Sequence, residues 1–241
     1  MEYYQYYIMG VVLIPAIIFA IVAQAKVKSC YNQYSQVTSS QNLTAHEIAE
    51  KVLKSKGIDE VVVKKIGGEL TDYYSDKDKT VALSQGVYDS NSLAAIGIAL
   101  HEVGHAIQYS EGYKMIYVRN IMIKTSNIAS VLLWPLVIIG LIFNFAVLDG
   151  GIVGNVCLWA GIGFFGISIL LNLVTLPVEY NASKRAKDII ASQNILTKPE
   201  QEGVAEVLNS AAMTYVASLV VSIFYLLRFL LVVVLNSRRR D

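Results

Sequence analysis

The sequence is poor in charge, cysteine and histidine. Charged residues make up 16% of its 241 residues, against roughly 25% in a typical soluble domain. The net charge of +1 gives no indication of nucleic-acid binding, and none is predicted. The two cysteines are too few for a zinc cluster. Cys157 lies within an apolar run and Cys30 lies outside one, so a disulfide between them is not predicted. A site built on histidine has only three such residues to use.

The abundant residues are apolar, and they are concentrated in four long runs. Apolar residues make up 54% of the chain. About 20 consecutive apolar residues in a helix cross a bilayer, and these runs mostly lack the polar face of a buried helix in a soluble protein. We therefore predict a mainly α-helical integral membrane protein. Its transmembrane helices are predicted at residues 7–25, 128–148, 152–176 and 215–235.

Two features of these runs have alternative interpretations. Arg228 lies inside the fourth run, where a charge is costly unless it faces the helix bundle or reaches toward the basic residues 238–240. We interpret it as structural. In the first run, residues 23–25 resemble a signal-peptidase cleavage site. The preceding residues contain several tyrosines and no Lys or Arg, which favours a retained anchor with an interfacial aromatic belt.

Two polar segments, residues 26–127 and 177–213, lie between the runs. With four spans they emerge on the same face of the membrane, so we predict that together they form one catalytic domain. The connection at residues 149–151 is a tight turn on the opposite face. Basic residues lie near the span ends on the side of the polar segments, which predicts a cytoplasmic location by the positive-inside rule. Residues 238–240 conflict with this orientation, because four spans place them on the other side.

The first polar segment has local signals for a small α+β element. A capping box of Thr44 and Glu47 predicts a helix that runs to about Lys56. Short strands are predicted at residues 61–63 and 80–83, with turns at 67–68 and 75–78. Potential N-caps then precede a second helix that ends before Gly112, namely Asp89, Ser90 and Ser92. An exposed strand edge beside this helix can hold an extended peptide by main-chain hydrogen bonds.

That second helix carries the sequence HEVGH at residues 101–105. Residues four apart lie on one face of a helix, so His101 and His105 can hold one Zn²⁺ ion. Glu102 lies beside them and can accept a proton from a zinc-bound water. The motif also occurs by chance as the solvated face of a soluble helix. Here residues 93–100 are apolar, and a buried cluster of this kind without a metal is costly to desolvate. We therefore predict a zinc site.

A catalytic zinc ion usually has three protein ligands and leaves the fourth position to water. The remaining histidine, His46, lies on the polar side of a predicted surface helix, and we interpret it as solvated. A carboxylate is then the better third ligand, and Glu179 is the best choice because it follows Pro177 at the end of the third run. We expect Glu179 in the first turn of a helix, where negative charge is favoured. The alternative is a helix-start glutamate paired with Ser183 or Lys184.

The sequence resembles the YugP-type zinc metallopeptidases of bacterial membranes, the neutral zinc metallopeptidase family 2. The likeness covers nearly the whole chain and is most specific in HEVGHAIQ and LPVEYNAS. The resembling segments are residues 70–74, 81–84, 87–88, 92–95, 101–108, 176–183 and 214–217. The resemblance implies a zincin-like domain with a gluzincin-like site, in which His101, His105 and Glu179 are ligands and Glu102 is the base. Asn181 stands where many relatives are expected to have Asp, and would orient a ligating histidine less strongly.

These observations predict a zinc metallopeptidase in the bacterial cell membrane, with its catalytic side in the cytoplasm. The partners expected are the lipid bilayer and a peptide or membrane-protein substrate, and the sequence specifies no oligomeric state. The tyrosines near the motifs are interpreted as packing or interfacial residues rather than as oxyanion donors: Tyr88, Tyr109 and Tyr180.

Two alternatives to a peptidase stay open at this point. One is a non-enzymatic membrane scaffold braced by a closed four-ligand zinc site, with His46 or Asp72 as the fourth ligand. The other is a small transporter or channel. The transporter ranks low because the spans contain no chain of acidic residues for ion coupling.

Overall fold

The structure, a computed structural model, describes residues 10–146 and 151–237. The predicted features at residues 7–9, 147–150 and 238–240 lie outside the described residues. Seven helices and three strands follow one another within the described ranges: α1 (Leu13–Tyr34), α2 (Ala45–Ser55), β1 (Val62–Ile66), β2 (Tyr73–Ser75), β3 (Thr80–Ser84), α3 (Gln85–Tyr88), α4 (Leu93–Ser110), α5 (Lys114–Ala146), α6 (Gly151–Ser192) and α7 (Lys198–Ser237).

Four of the helices are long and apolar enough to cross a membrane, namely α1, α5, α6 and α7. This confirms the predicted number of such segments. Their large apolar side chains are unusually exposed, with 73% exposure at Val131, 68% at Trp134 and 80% at Ile152. Contiguous apolar surface of this kind is rare on soluble monomers and is stable against lipid acyl chains. The helices therefore fit an integral membrane protein.

The chain divides into two compact units. The apolar unit comprises the described parts of Met1–Val22, Tyr117–Thr175 and Tyr215–Asp241. Within it the Asn172 side chain donates a hydrogen bond to the Ser222 hydroxyl, with 2.9 Å between Nδ2 and Oγ. Arg228 lines an apolar cavity of about 340 Å³ together with aromatic and aliphatic side chains of α5, α6 and α7.

The polar unit comprises Ala23–Ile116 and Leu176–Thr214. Its three-stranded sheet has the order β1-β3-β2, with β1 parallel and β2 antiparallel to β3. All five residues of the central strand β3 are buried. The two predicted strands are present as β1 and β3. Strand β2 was not predicted, because three half-exposed residues are too few to show the alternating pattern of a strand.

Two helices of the polar unit, α2 and α4, begin and end at the predicted signals. The Glu47 carboxylate accepts a hydrogen bond from the Thr44 N–H at 2.8 Å, before α2 begins. The Ser92 hydroxyl accepts from the Ala95 N–H at 3.2 Å and caps α4. Gly57 and Gly112 follow the two helices with positive φ angles of 68° and 67°, a conformation that glycine adopts without steric cost.

The core of the polar unit surrounds α4. Fully or almost fully buried side chains from α2, β3, α4 and α6 pack together there, among them Ile48, Leu83, Ile96, Leu100 and Ile190. Burying one such side chain contributes about 1.5–3 kcal/mol of transfer free energy. The helix that carries HEVGH is therefore held rigidly by its neighbours.

The structure corrects the prediction for the segment around Pro177. A helix beginning after Pro177, with Glu179 in its first turn, was expected. Instead α6 continues without interruption from Gly151 to Ser192, with Pro177 inside it. Proline removes one N–H donor and crowds the preceding turn, but packing of the flanking residues can outweigh that cost; here Val178 and Ala182 are completely buried. Glu179 is consequently far from a helix N-terminus, and its charge must be stabilised by other groups.

Candidate metal centre

The polar unit brings His101 and His105 of α4 together with Glu179 of α6. The Oε2 atom of Glu179 lies 3.2 Å from Nε2 of His101 and 3.5 Å from Nε2 of His105. The Glu179 side chain is only 2% exposed. The potential ligand atoms of the three residues all lie within 4.8 Å of one another, which makes them a possible metal site. The two histidines and the carboxylate predicted from sequence therefore meet at one place.

The separations of these atoms match the spacing of ligands around a zinc ion. Zinc bonds of 2.0–2.1 Å in a tetrahedral arrangement place neighbouring ligand atoms about 3.3 Å apart. The two separations in the structure, 3.2 and 3.5 Å, lie on either side of that value. A charge-assisted hydrogen bond between an imidazole and a carboxylate is shorter, at about 2.7–2.9 Å. The geometry thus fits two nitrogens and an oxygen that share a cation better than it fits direct hydrogen bonds.

The other ring nitrogens of the two histidines contact side chains that orient the rings. Nδ1 of His101 lies 3.1 Å from the Ser183 hydroxyl. Nδ1 of His105 lies 2.9 Å from Oε1 of Gln108. Because Oε1 only accepts, the His105 Nδ1 donates, and in the neutral imidazole its Nε2 then carries a lone pair. That lone pair faces the Glu179 carboxylate, which is also an acceptor. A cation between them satisfies both, so the donor set fits Zn²⁺.

Gly104, inside the HEVGH sequence, allows α4 and α6 to approach closely. A Cβ atom at this position would lie 2.6 Å from the carbonyl oxygen of Ala182. That distance is too short for any side chain without movement of the backbone. Ala182 lies between Glu179 and Ser183 on α6, the two residues that contact the histidines. The glycine thus provides the helix contact on which the assembly of the centre depends.

Glu102 lies next to the first histidine on α4 and is buried, with 9% of its surface exposed. Burial raises the pKa of its carboxyl above the usual range, while the neighbouring imidazoles of His101 and His105 oppose the shift. A carboxyl with a raised pKa accepts and returns a proton closer to neutral pH. Its environment is therefore suited to acid–base chemistry.

The residues considered for a fourth ligand are engaged elsewhere. The ring of His46 stacks on Tyr88, with centroids 4.2 Å apart and planes within 4°, and its Nδ1 lies 3.0 Å from the Tyr88 carbonyl oxygen. His46, interpreted as solvated, is in fact half-buried. Asp72 accepts hydrogen bonds from the Ser84 N–H at 2.7 Å and the Ser84 hydroxyl at 3.1 Å. Neither belongs to the group of described residues that could hold a metal ion, and the scaffold with a closed four-ligand site is not favoured.

The roles of Ser183 and Gln108 were not predicted from the sequence. Ser183 was considered as a partner for Glu179, and both residues were noted as parts of resembling segments. The usable signal was their spacing, since Ser183 follows Glu179 by four residues and Gln108 follows His105 by three, which places each pair on one helix face.

Comparison with known proteins places the chain in a family. Residues 9–234 match the family described as "Putative neutral zinc metallopeptidase". A relative from Bacillus subtilis (strain 168), named "Putative membrane protease YugP", is 41% identical over 217 residues, which cover 90% of this chain and 92% of the relative. No solved structure matches the chain. The chain therefore belongs to this zinc metallopeptidase family.

Proposed function

We propose that this member of the zinc metallopeptidase family is a membrane-embedded peptidase that hydrolyses peptide bonds at the centre formed by His101, His105 and Glu179. The observation that carries the proposal is the convergence of two imidazole Nε2 atoms on one buried carboxylate oxygen, at 3.2 and 3.5 Å. Three ligands of this kind hold a catalytic zinc ion and leave its fourth position open.

In the proposed reaction, Glu102 is the general base. Zinc, when bound, polarises the scissile carbonyl and lowers the pKa of the attacking water. Glu102 accepts the proton of that water as the new C–O bond forms, and then donates it to the nitrogen of the breaking C–N bond. The products are a carboxylate and an amine. The burial of Glu102 and its raised pKa support both proton transfers.

The proposed substrates are membrane proteins or proteins at the membrane surface. The apolar helices and the name of the relative, "Putative membrane protease YugP", support this class. Strand β2 adds a structural reason, because it lies at the edge of the sheet, and Tyr74 on this strand packs against Tyr109 of α4 at 5.5 Å. An edge strand next to the motif helix can hold an extended peptide by main-chain hydrogen bonds, as in a zincin-like domain.

We place the protein in the bacterial cell membrane with the segments 26–127 and 177–213 in the cytoplasm, where they form the catalytic domain. The basic residues near the span ends support this orientation. In a variant with Cys30 and Cys157 replaced by serine, we expect a cysteine introduced at the exposed Lys51 to resist a membrane-impermeant maleimide in intact cells. It should react once the cells are opened. Labelling of this cysteine in intact cells would show that the two polar segments face the outside of the cell membrane.

The proposed function is tested by metal analysis and hydrolysis on the purified chain in detergent. We expect about one zinc ion per chain, as three protein ligands predict, and cleavage of an unfolded protein substrate. A chelator should abolish cleavage, and added zinc should restore it. If the folded protein takes up no zinc after reconstitution, this result contradicts the proposed metallopeptidase function. A protein that binds zinc but cleaves neither an unfolded substrate nor a membrane-protein fragment supports a scaffold instead.

A further inference from the structure

We propose that Gln108 is a positioning residue of the metal centre. Together with Asn181 and Arg185 it forms a chain of hydrogen bonds that fixes which nitrogen of His105 carries the proton. This inference rests on the proposed zinc-dependent function. None of the three residues contacts the reacting atoms. Each acts through the next residue in the chain of hydrogen bonds: Arg185 on Asn181, Asn181 on Gln108, and Gln108 on His105.

The chain of hydrogen bonds begins at Arg185, whose donor role is fixed. Its Nε atom lies 2.8 Å from Oδ1 of Asn181, one turn earlier on α6. A guanidinium donates and never accepts, so the amide oxygen of Asn181 must face it. The other end of the guanidinium pairs with the Glu111 carboxylate at 2.6 Å, just after the end of α4. Arg185 is thus held between the two helices that build the centre.

Gln108 receives its orientation from two acceptors. Its side chain is completely buried, and its Nε2 atom lies 2.8 Å from the Val178 carbonyl oxygen and 2.9 Å from Oδ1 of Asn181. A backbone carbonyl only accepts, and Arg185 has already fixed the Asn181 oxygen as an acceptor. The amino group of Gln108 therefore points toward α6, and its Oε1 points toward His105.

This orientation determines the tautomer of His105. Since Gln108 Oε1 only accepts, the Nδ1 atom 2.9 Å away must carry the proton. The Nε2 atom of the neutral ring then presents its lone pair toward Glu179. A flipped Gln108 would bring its oxygen against two acceptors, the Val178 carbonyl oxygen and Oδ1 of Asn181, and its amino group against Nδ1. The proton would then move to Nε2, where it would occupy the position of the metal.

Among the residues that the structure describes, His101 has no partner that fixes its tautomer in this way. Its Nδ1 contacts the Ser183 hydroxyl at 3.1 Å, and a hydroxyl can rotate to donate or to accept. The tautomer of His101 is therefore not fixed by Ser183. The two histidines differ in this respect, so Ser183→Ala is a matched control that removes one hydrogen bond to the other ring.

The test is zinc affinity, measured by competition with a chromophoric chelator on the purified full chain in detergent. We expect Gln108→Met, which keeps the length of the side chain and loses its acceptor, to bind zinc about 10–100-fold more weakly. Ser183→Ala should weaken zinc binding by a smaller factor than Gln108→Met. Asn181→Leu should weaken binding, whereas Asn181→Asp, which keeps acceptor oxygens for Gln108 and Arg185, should bind within about twofold of the wild type.

A second readout separates positioning from simple packing. With Co²⁺ in place of zinc, Gln108→Met and Asn181→Leu should alter the visible absorption spectrum, and Asn181→Asp should preserve it. Zinc affinity and spectrum unchanged in a folded Gln108→Met protein would overturn the inference while leaving the metallopeptidase intact. Failure of the wild type to bind zinc would instead contradict the proposed function. If Gln108→Met does not fold, the comparison of Asn181→Leu with Asn181→Asp tests the inference instead. Asn181 is only half-buried and therefore tolerates substitution more readily than Gln108.

Discussion

Glu102→Gln is expected to retain zinc and to hydrolyse peptide bonds roughly 10²–10⁴-fold more slowly than the wild type, the usual contribution of a general base. The amide has nearly the shape of the carboxylate but cannot accept the proton of the attacking water. Glu102 is absent from the group of residues that can share a metal ion, so its loss should leave metal binding in place. The measurements are kcat on an unfolded substrate and the zinc content of the same preparation.

The matched control is Glu50→Gln, which removes an exposed carboxylate on α2. It should keep both zinc and full activity. A Glu102→Gln protein that stays fully active would eliminate Glu102 as the base. Loss of zinc in that variant would instead make Glu102 a ligand and require a different proton acceptor.

Glu179→Ala is expected to weaken zinc binding by more than about 100-fold, beyond the range caused by substitutions around the ligands. The change removes the oxygen that lies 3.2 and 3.5 Å from the two imidazole nitrogens and leaves two ligands for the ion. Peptidase activity should disappear with the metal. The measurement is zinc stoichiometry after dialysis, with circular dichroism to show that the helices persist.

Glu202→Ala, which changes an exposed glutamate on α7, serves as the control for handling and metal contamination. Zinc binding also stabilises the folded state against unfolding. Zinc should therefore raise the thermal unfolding temperature of the control and leave that of Glu179→Ala nearly unchanged. A Glu179→Ala protein that retains a full zinc ion would remove this residue from the site and direct attention to Asp72 or His46.

Several features of this protein follow from the sequence alone, because they depend on residues that are close in the chain. The spacing of HEVGH places His101 and His105 on one face of a helix, whatever surrounds it. The lengths of the apolar runs predict the four helices that can cross a membrane. Two helix starts are local in this way: the Ser92 hydroxyl accepts from the Ala95 N–H at the start of α4, and the Glu47 carboxylate accepts from the Thr44 N–H at the start of α2.

Other features depend on which surfaces of distant segments meet. Glu179 is 78 residues from His101, and its position inside a continuous helix through Pro177 was not what its neighbours in sequence predicted. Gly104 is required by one carbonyl oxygen of α6, which no local pattern indicates. The hydrogen bonds from Gln108 to His105, Val178 and Asn181 likewise exist only because α4 and α6 pack backbone to backbone. The sequence by itself determined which side chains can bind a metal ion or form hydrogen bonds, and which helices carry them. Tertiary packing decided which of these side chains become partners. A hydrogen bond needs atoms within about 3 Å, and atoms of segments remote in the chain come that close only on folding.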